Sequence, residues 1–304
     1  LFSIPEKFAN FMLTQFGEEG RTWLKRLPTI LATYEERWNV TIGEPVPNLS
    51  FNYVAPAVRA DGSEVMLKTG LTDEFPAQPQ ALQHFDGKGM AQLLAYDESE
   101  AIMLMERLKP GLSLRVVEDD ERAISAAVSV MRKLWHPLSE QHYAFPTIGD
   151  WGQAFAELRE QYQGGTGPIP AQIFDKAERL YQELSASMAE PVLLHGDLHQ
   201  DNILSSERDT WLAVDPKGVI GEPAFETGAI LRNFWPDILS ISDPRALTVR
   251  RIDQLAAELG FDKERIHSWA LAQAVLSVIW SVEDTGKLEY EGLYFVNLLN
   301  AIKM

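Results

Sequence analysis

The chain has 304 residues, 45% of them hydrophobic and 23% charged, the profile of a folded protein with a sizeable core rather than a disordered or fibrous one. Its 27 basic and 44 acidic side chains leave a net charge of −17, which repels phosphate backbones and anionic lipid headgroups; this argues against nucleic acid and membrane partners and favours a cationic small molecule. There is no cysteine, so disulfides, thiolate metal sites and cysteine nucleophiles are excluded.

No stretch reaches the roughly 18 uninterrupted apolar residues of a membrane span. The start, LFSIPEKFANFM, lacks the basic and apolar regions of an export signal, so a cytoplasmic protein is expected. Residues 5–16 and 18–38 have the spacing of amphipathic helices, with Pro28 predicting a break or restart. Strand-like runs follow at 40–46, 49–59 and 64–69, the last two joined by the turn Ala60-Asp61-Gly62. A helical stretch at 80–85 precedes two further strands, 90–96 and 101–108, and Lys109-Pro110-Gly111 then punctuates the chain. From about Val117 onward apolar residues recur at helical spacing: Ile124, Val128, Met131, Trp135; Trp151, Phe155, Leu158, Tyr162; Ile173, Ala177, Leu180, Leu184. The loop Gly164-Gly165-Thr166-Gly167-Pro168 has neither the Lys-Ser/Thr ending nor the preceding strand of a phosphate loop and reads as a linker. More helices are predicted at about 223–235, 243–259, 262–283 and 290–302.

The segment PVLLHGDLHQDNILSSERDTWLAVDPKGVIGEP, from Pro191 to Pro223, differs in character. His195-Gly196-Asp197 turns after an apolar run, and 202–204 with 211–214 reads as a hairpin that runs into Asp215. Asp197, Asn202 and Asp215 therefore converge at strand ends. Two carboxylates and a carboxamide supply oxygen ligands of the kind magnesium takes together with nucleotide phosphates. Asp201 lies out of phase and is expected to be solvated. The six histidines are scattered and make no zinc pattern.

The spacing His195-x-Asp197-x-x-x-x-Asn202, followed by Asp215, resembles the catalytic loop and metal-binding aspartate of the protein-kinase-like fold. His-Gly-Asp-Leu-His, with Gly196 where protein kinases carry Arg, looks more like the antibiotic and choline kinase branch. Four further stretches are similar to the aminoglycoside and hydroxyurea phosphotransferases, which include streptomycin kinases. They are Trp23-Leu24-Lys25-Arg26-Leu27-Pro28, Phe85-Asp86-Gly87-Lys88-Gly89, Met105-Glu106-Arg107-Leu108-Lys109-Pro110-Gly111, and Ile220-Gly221-Glu222-Pro223-Ala224-Phe225-Glu226 with Leu231-Arg232-Asn233.

The resemblance implies ATP and Mg2+ as cofactors. Asp197 would accept or orient the proton of the acceptor hydroxyl, and Asn202 and Asp215 would ligate magnesium. Lys68, at the end of a strand, takes the place of the lysine that contacts the α- and β-phosphates; its partner glutamate is assigned to Glu74, although the following helix carries glutamines where an acid is usual. In place of a glycine-rich loop stands Pro47-Asn48-Leu49-Ser50-Phe51-Asn52-Tyr53, with Asn48 and Ser50 placed at phosphate. Backbone groups of Glu106 and Leu108 would meet the adenine edge, and His195 would be scaffold. Pro216-Lys217 after Asp215 leaves little room for a switchable activation loop. Glu222 and Glu226 fall at i and i+4, and Glu283-Asp284 closes a helix after Trp280; Glu226 and Asp284 are candidates for binding ammonium or guanidinium groups.

The expected fold is α+β and protein-kinase-like. Residues 1–108 would form a small lobe with an antiparallel sheet and a helical extension at 1–39, and residues 109–304 a mainly helical lobe with the catalytic loop and acceptor site. The expected reaction is transfer of the γ-phosphoryl of ATP to a hydroxyl of an aminoglycoside-like or hydroxyurea-like acceptor, in the cleft between lobes. A kinase of choline, an amino acid or a sugar, and a nucleotide-binding pseudokinase, are the alternatives. Oligomeric state is not legible.

Overall fold

In the computed structural model, residues 2–71, 75, 77–138, 145–188, 190–233 and 238–304 are described. They divide into two compact units, residues 1–111 and 112–304.

In the first unit, helix α1 (Glu6–Arg37) is broken at Gly17, whose φ of 52° and ψ of −123° are not helical. It runs on unbroken through Pro28, contrary to the expected interruption there. The missing N–H of a mid-helix proline costs stability, but Leu27, Ile30 and Leu31 around it are all buried, and that packing offsets the loss. Five strands follow: β1 (Val40–Ile42), β2 (Asn52–Arg59), β3 (Glu64–Gly70), β4 (Leu93–Asp97) and β5 (Ile102–Glu106), with helix α2 (Ala77–Phe85) between β3 and β4. They form one antiparallel sheet in the order β1-β2-β3-β5-β4. Alternation puts Tyr53, Ala55, Ala57, Val65, Leu67, Ile102 and Leu104 into one core with Phe8, Met12, Trp23 and Leu31 of α1. Lys68 pairs with Val54 and Met103, one residue out of step with Leu67, so the pleat places it on the opposite face.

The second unit is mainly helical: α3 (Asp120–Leu134), α4 (Ile148–Trp151), α5 (Gln153–Gln161), α6 (Ala171–Ala186), α7 (Pro223–Arg232), α8 (Pro244–Leu259), α9 (Lys263–Thr285) and α10 (Tyr290–Ala301). α9 is buried along most of its length, from Ile266 to Val282, and forms the axis of this unit. Aromatic edges lock α6 and α7 onto it: Trp269 lies 5.0 Å from Phe225 and 5.3 Å from Tyr181, centroid to centroid. Aspartate side chains cap α3, α8 and α9 at Asp119, Asp243 and Asp262, satisfying N–H groups the helices leave open. Strand β6 (Pro110–Ser113) joins β8 (Ile203–Ser206) and β9 (Trp211–Ala213) in a three-stranded sheet, and β7 (Val192–Leu194) pairs antiparallel with β10 (Val219–Gly221). The predicted hairpin is present, with Ile203 opposite Ala213 and Ser205 opposite Trp211. No described helix is long and apolar enough to cross a membrane.

Candidate active site

The loop between β7 and β8 is tied down at His195. Its backbone N–H donates to Glu226 Oε2 at 2.7 Å, and its carbonyl accepts from Lys217 N–H at 2.8 Å. Its ring nitrogens take up the rest: Nδ1 accepts from Asp197 N–H at 3.2 Å, which puts the ring proton on Nε2, 2.8 Å from Val214 O. Burial holds this imidazole neutral, pushing its pKa down to about 4. Gly196 then turns with a φ of 86°, and a Cβ there would lie 2.8 Å from the Trp151 ring and 3.1 Å from Lys217 Cβ. The arginine of protein kinases has no room here.

Asp197, 28% exposed at its side chain, receives Arg232 Nη2 on Oδ1 at 2.9 Å, while His199 Nε2 stands 3.6 Å from Oδ2. Burial alone would raise its pKa; the His199 contact and the Arg232 guanidinium outweigh it and hold the carboxyl well below the usual carboxylate range. Asn202 Nδ2 donates to Asp197 O at 2.9 Å, so the amide oxygen is the end left for a ligand. Val214 N–H donates to Asn202 O at 2.9 Å, and Val214 O meets the His195 ring, so Asp215 is delivered to the same loop. Asp215 adopts a φ of 62°, a left-handed conformation uncommon for a non-glycine residue and frequent at functional sites. Among the described residues no group of three His, Cys, Asp or Glu side chains is placed to hold a metal. One carboxylate and one amide oxygen instead make a partial, hard-oxygen set that fits magnesium completed by phosphate and water, and does not fit zinc.

Some expectations need correction. Glu226 does not face an acceptor: it is 1% exposed, and both its oxygens are taken by backbone N–H groups of His195 and Gly196. Burial raises its pKa to about 7. Glu222, 2% exposed, pairs with Arg265 at 2.8 Å and accepts from Trp269 Nε1. Neither lies on a solvated acidic face: Glu222 is held against α9 by Arg265 and Trp269, and Glu226 faces the loop at His195 and Gly196. Asp201 is not simply solvated but forms a two-toothed ion pair with Arg115. Asp284 is exposed at the end of α9. Lys68 is buried at 4% exposure on β3; Asn48 and Ser50 lie on an exposed turn before β2. Glu106 N–H donates to Gln92 O at 2.8 Å, so it is already engaged within the sheet, and Leu108 is buried. Glu74 lies outside the described residues.

Sequence reasoning missed two things. Arg232 was read only as part of a family motif, although it contacts Asp197 across 35 positions of sequence. A pocket of about 410 Å³ opens within the second unit, lined by Arg115, Arg232, Ser277, Ser281, Glu289 and Glu291 over an apolar floor of Ile238, Val278 and Phe295. Its carboxylates come from the start of α10, a short distance along the chain from the expected Asp284.

Residues 37–285 match the family model described as aminoglycoside/hydroxyurea antibiotic resistance kinase. The chain belongs to this family of kinases. A streptomycin 6-kinase of Streptomyces glaucescens is 31% identical over 295 residues, 93% of this chain and 92% of that relative. A hydroxyurea phosphotransferase of Kitasatospora aureofaciens is 35% identical, over 92% of this chain and 81% of the relative. Among solved structures, a thermostable mutant of aminoglycoside phosphotransferase APH(4)-Ia in ternary complex with ADP and hygromycin B superposes with a TM-score of 0.62 at 15% identity, covering 89% of this chain and 96% of the other. The antibiotic resistance kinase family member described here therefore has the protein-kinase-like fold and is a nucleotide-dependent small-molecule phosphotransferase.

Proposed function

We propose that this kinase transfers the γ-phosphoryl group of ATP to a hydroxyl of a streptomycin-like aminoglycoside or of a hydroxyurea-like acceptor, seated in the pocket lined by Arg232, the residue that contacts Asp197. The observation that carries this reading is the Asp197 carboxylate, ionised, engaged by arginine on one oxygen only, and set in the loop that also presents Asn202 and Asp215. Asp197 Oδ2 accepts a hydrogen bond from the acceptor hydroxyl and takes its proton as the new oxygen–phosphorus bond forms and the bond to the leaving ADP breaks. Asn202 and Asp215 hold Mg2+, whose charge offsets that of the phosphates. Lys68 adds a second positive charge toward the α- and β-phosphates, with Glu74 as its partner, Asn48 and Ser50 touching phosphate, and Glu106 and Leu108 at the adenine edge. The first unit is the nucleotide-binding part, and the second carries catalysis and the acceptor.

Glu289 and Glu291 replace Glu226 and Asp284 as the carboxylates that receive ammonium or guanidinium groups, since they line the pocket. A cytoplasmic site of action follows from the need for ATP and Mg2+. The test is mass spectrometry of a panel of aminoglycosides, hydroxyurea, choline and sugars incubated with enzyme, ATP and Mg2+. A gain of one phosphoryl group on streptomycin or hydroxyurea is expected. Phosphorylation of choline or a sugar alone would move the assignment to primary metabolism, and tight ATP binding with no phosphorylated acceptor would support a binding module instead.

A further inference from the structure

Arg232, in the last turn of α7, is 19% exposed at its side chain and divides its guanidinium between two partners. Nη2 donates to Asp197 Oδ1 at 2.9 Å, and Nη1 donates to Gln273 Oε1 at 3.2 Å. An arginine facing a carboxylate alone tends to grip both oxygens in a parallel fork. Here the second arm is drawn away by Gln273, so Asp197 Oδ2 is left out of the arginine's grip. Gln273 is itself fixed: it is 4% exposed and its Nε2 donates to Phe225 O. It fits because α7 has a glycine beneath it. A Cβ at Gly228 would stand 2.3 Å from Gln273 Oε1 and 2.5 Å from its Cδ. Gly228, Gln273, Arg232 and Asp197 thus form a continuous brace from the buried α7–α9 interface to the loop, and Arg232 also lines the 410 Å³ pocket.

We propose that Arg232, braced by Gln273, is a positioning residue for Asp197: it holds one carboxylate oxygen and the negative charge in place while leaving the other oxygen for the acceptor hydroxyl. This rests on the reading of Asp197 as the group that receives the acceptor proton. Among the groups that bear on Asp197, Arg232 is a permanent cation, and it is the one that holds Oδ1.

The test measures kcat and KM for the full chain with ATP and Mg2+, with streptomycin and hydroxyurea as acceptor probes, in wild type, D197A, R232Q, R232K and Q273L. For R232Q, kcat is expected to fall about 10-fold or more. ATP affinity should stay within about twofold, because the arginine is lost from the acceptor side. R232K restores the charge but not the two-armed geometry, so kcat recovers only in part. Q273L should lower kcat by less than R232Q, again with ATP affinity kept. Wild-type kcat in R232Q would overturn the proposal, as would a loss of kcat matched by an equal loss of ATP affinity and a lowered melting temperature. If R232Q does not fold, R232K decides: wild-type kcat in that variant overturns the proposal. The underlying reading fails separately, if wild type phosphorylates neither probe or if D197A turns over like wild type.

Discussion

His195 and Glu226 are joined through one hydrogen bond, yet protons pull on them in opposite directions. Glu226 has its pKa raised to about 7 from an ordinary 4.5, so the folded chain binds more protons than the unfolded one between those values; its contribution to stability is present below pH 4.5 and is lost as pH rises through 7. His195 has its pKa lowered to about 4 from 6.5, so the unfolded chain binds more protons in that window, and its contribution is lost as pH falls toward 4. Each spans on the order of 3 kcal/mol, and over the shared range they nearly cancel. Relative to wild type, E226Q should therefore lose stability as pH falls from 6.5 to 4, and H195N should lose it as pH rises from 4.5 to 7, both read by denaturant unfolding across that range. Parallel slopes in the three proteins would contradict the assigned protonation states. E226Q should also be less stable throughout, by about 2 kcal/mol or more, because an amide N–H2 then faces a backbone N–H.

At the scale of elements, what was legible in the sequence was what is local. The hairpin Ile203–Ser206 with Trp211–Ala213 is there because its strands, turn and the following Asp215 are written consecutively, and the same holds for β2 and β3 about Asp61-Gly62. The pairing of β7 with β10 and the contact from Arg232 to Asp197 join segments about 25 to 35 residues apart, and no period or motif encodes them. Glu226 was misread for a related reason: i, i+4 spacing identifies a helix face but not whether that face meets water or, as here, the backbone of the His195–Gly196 loop. Pro28 illustrates tertiary packing overriding a local signal. Restoring the N–H with P28A should raise unfolding stability by about 1 kcal/mol or more, and a destabilised variant would show that the ring's packing matters more than the lost bond. In the loop, G196A forces a Cβ against Trp151 at a φ of 86°; it should cost both stability, by about 2 kcal/mol, and most of the turnover, which unfolding and kinetic assays would read together.

Over the whole molecule, the charge of −17 gains a location: Glu289 and Glu291 sit at the pocket that also holds Arg115 and Arg232. On the proposed function, a cationic acceptor would be attracted at the carboxylates and repelled at Arg232, which directs its uncharged hydroxyl end to Asp197. E289Q/E291Q should raise KM for streptomycin several-fold with little change in kcat, and the wild-type KM should rise with salt as the Debye length shrinks below about 8 Å. An unchanged KM would remove these residues from acceptor binding. The central claim is that Asp197 handles the acceptor proton while other groups hold the nucleotide. It is tested most directly by comparing phosphoryl transfer to streptomycin and ATP affinity in wild type and D197A. The expected result is a loss of kcat of about 10²-fold or more with ATP affinity within about threefold, and near-wild-type turnover in D197A would contradict it.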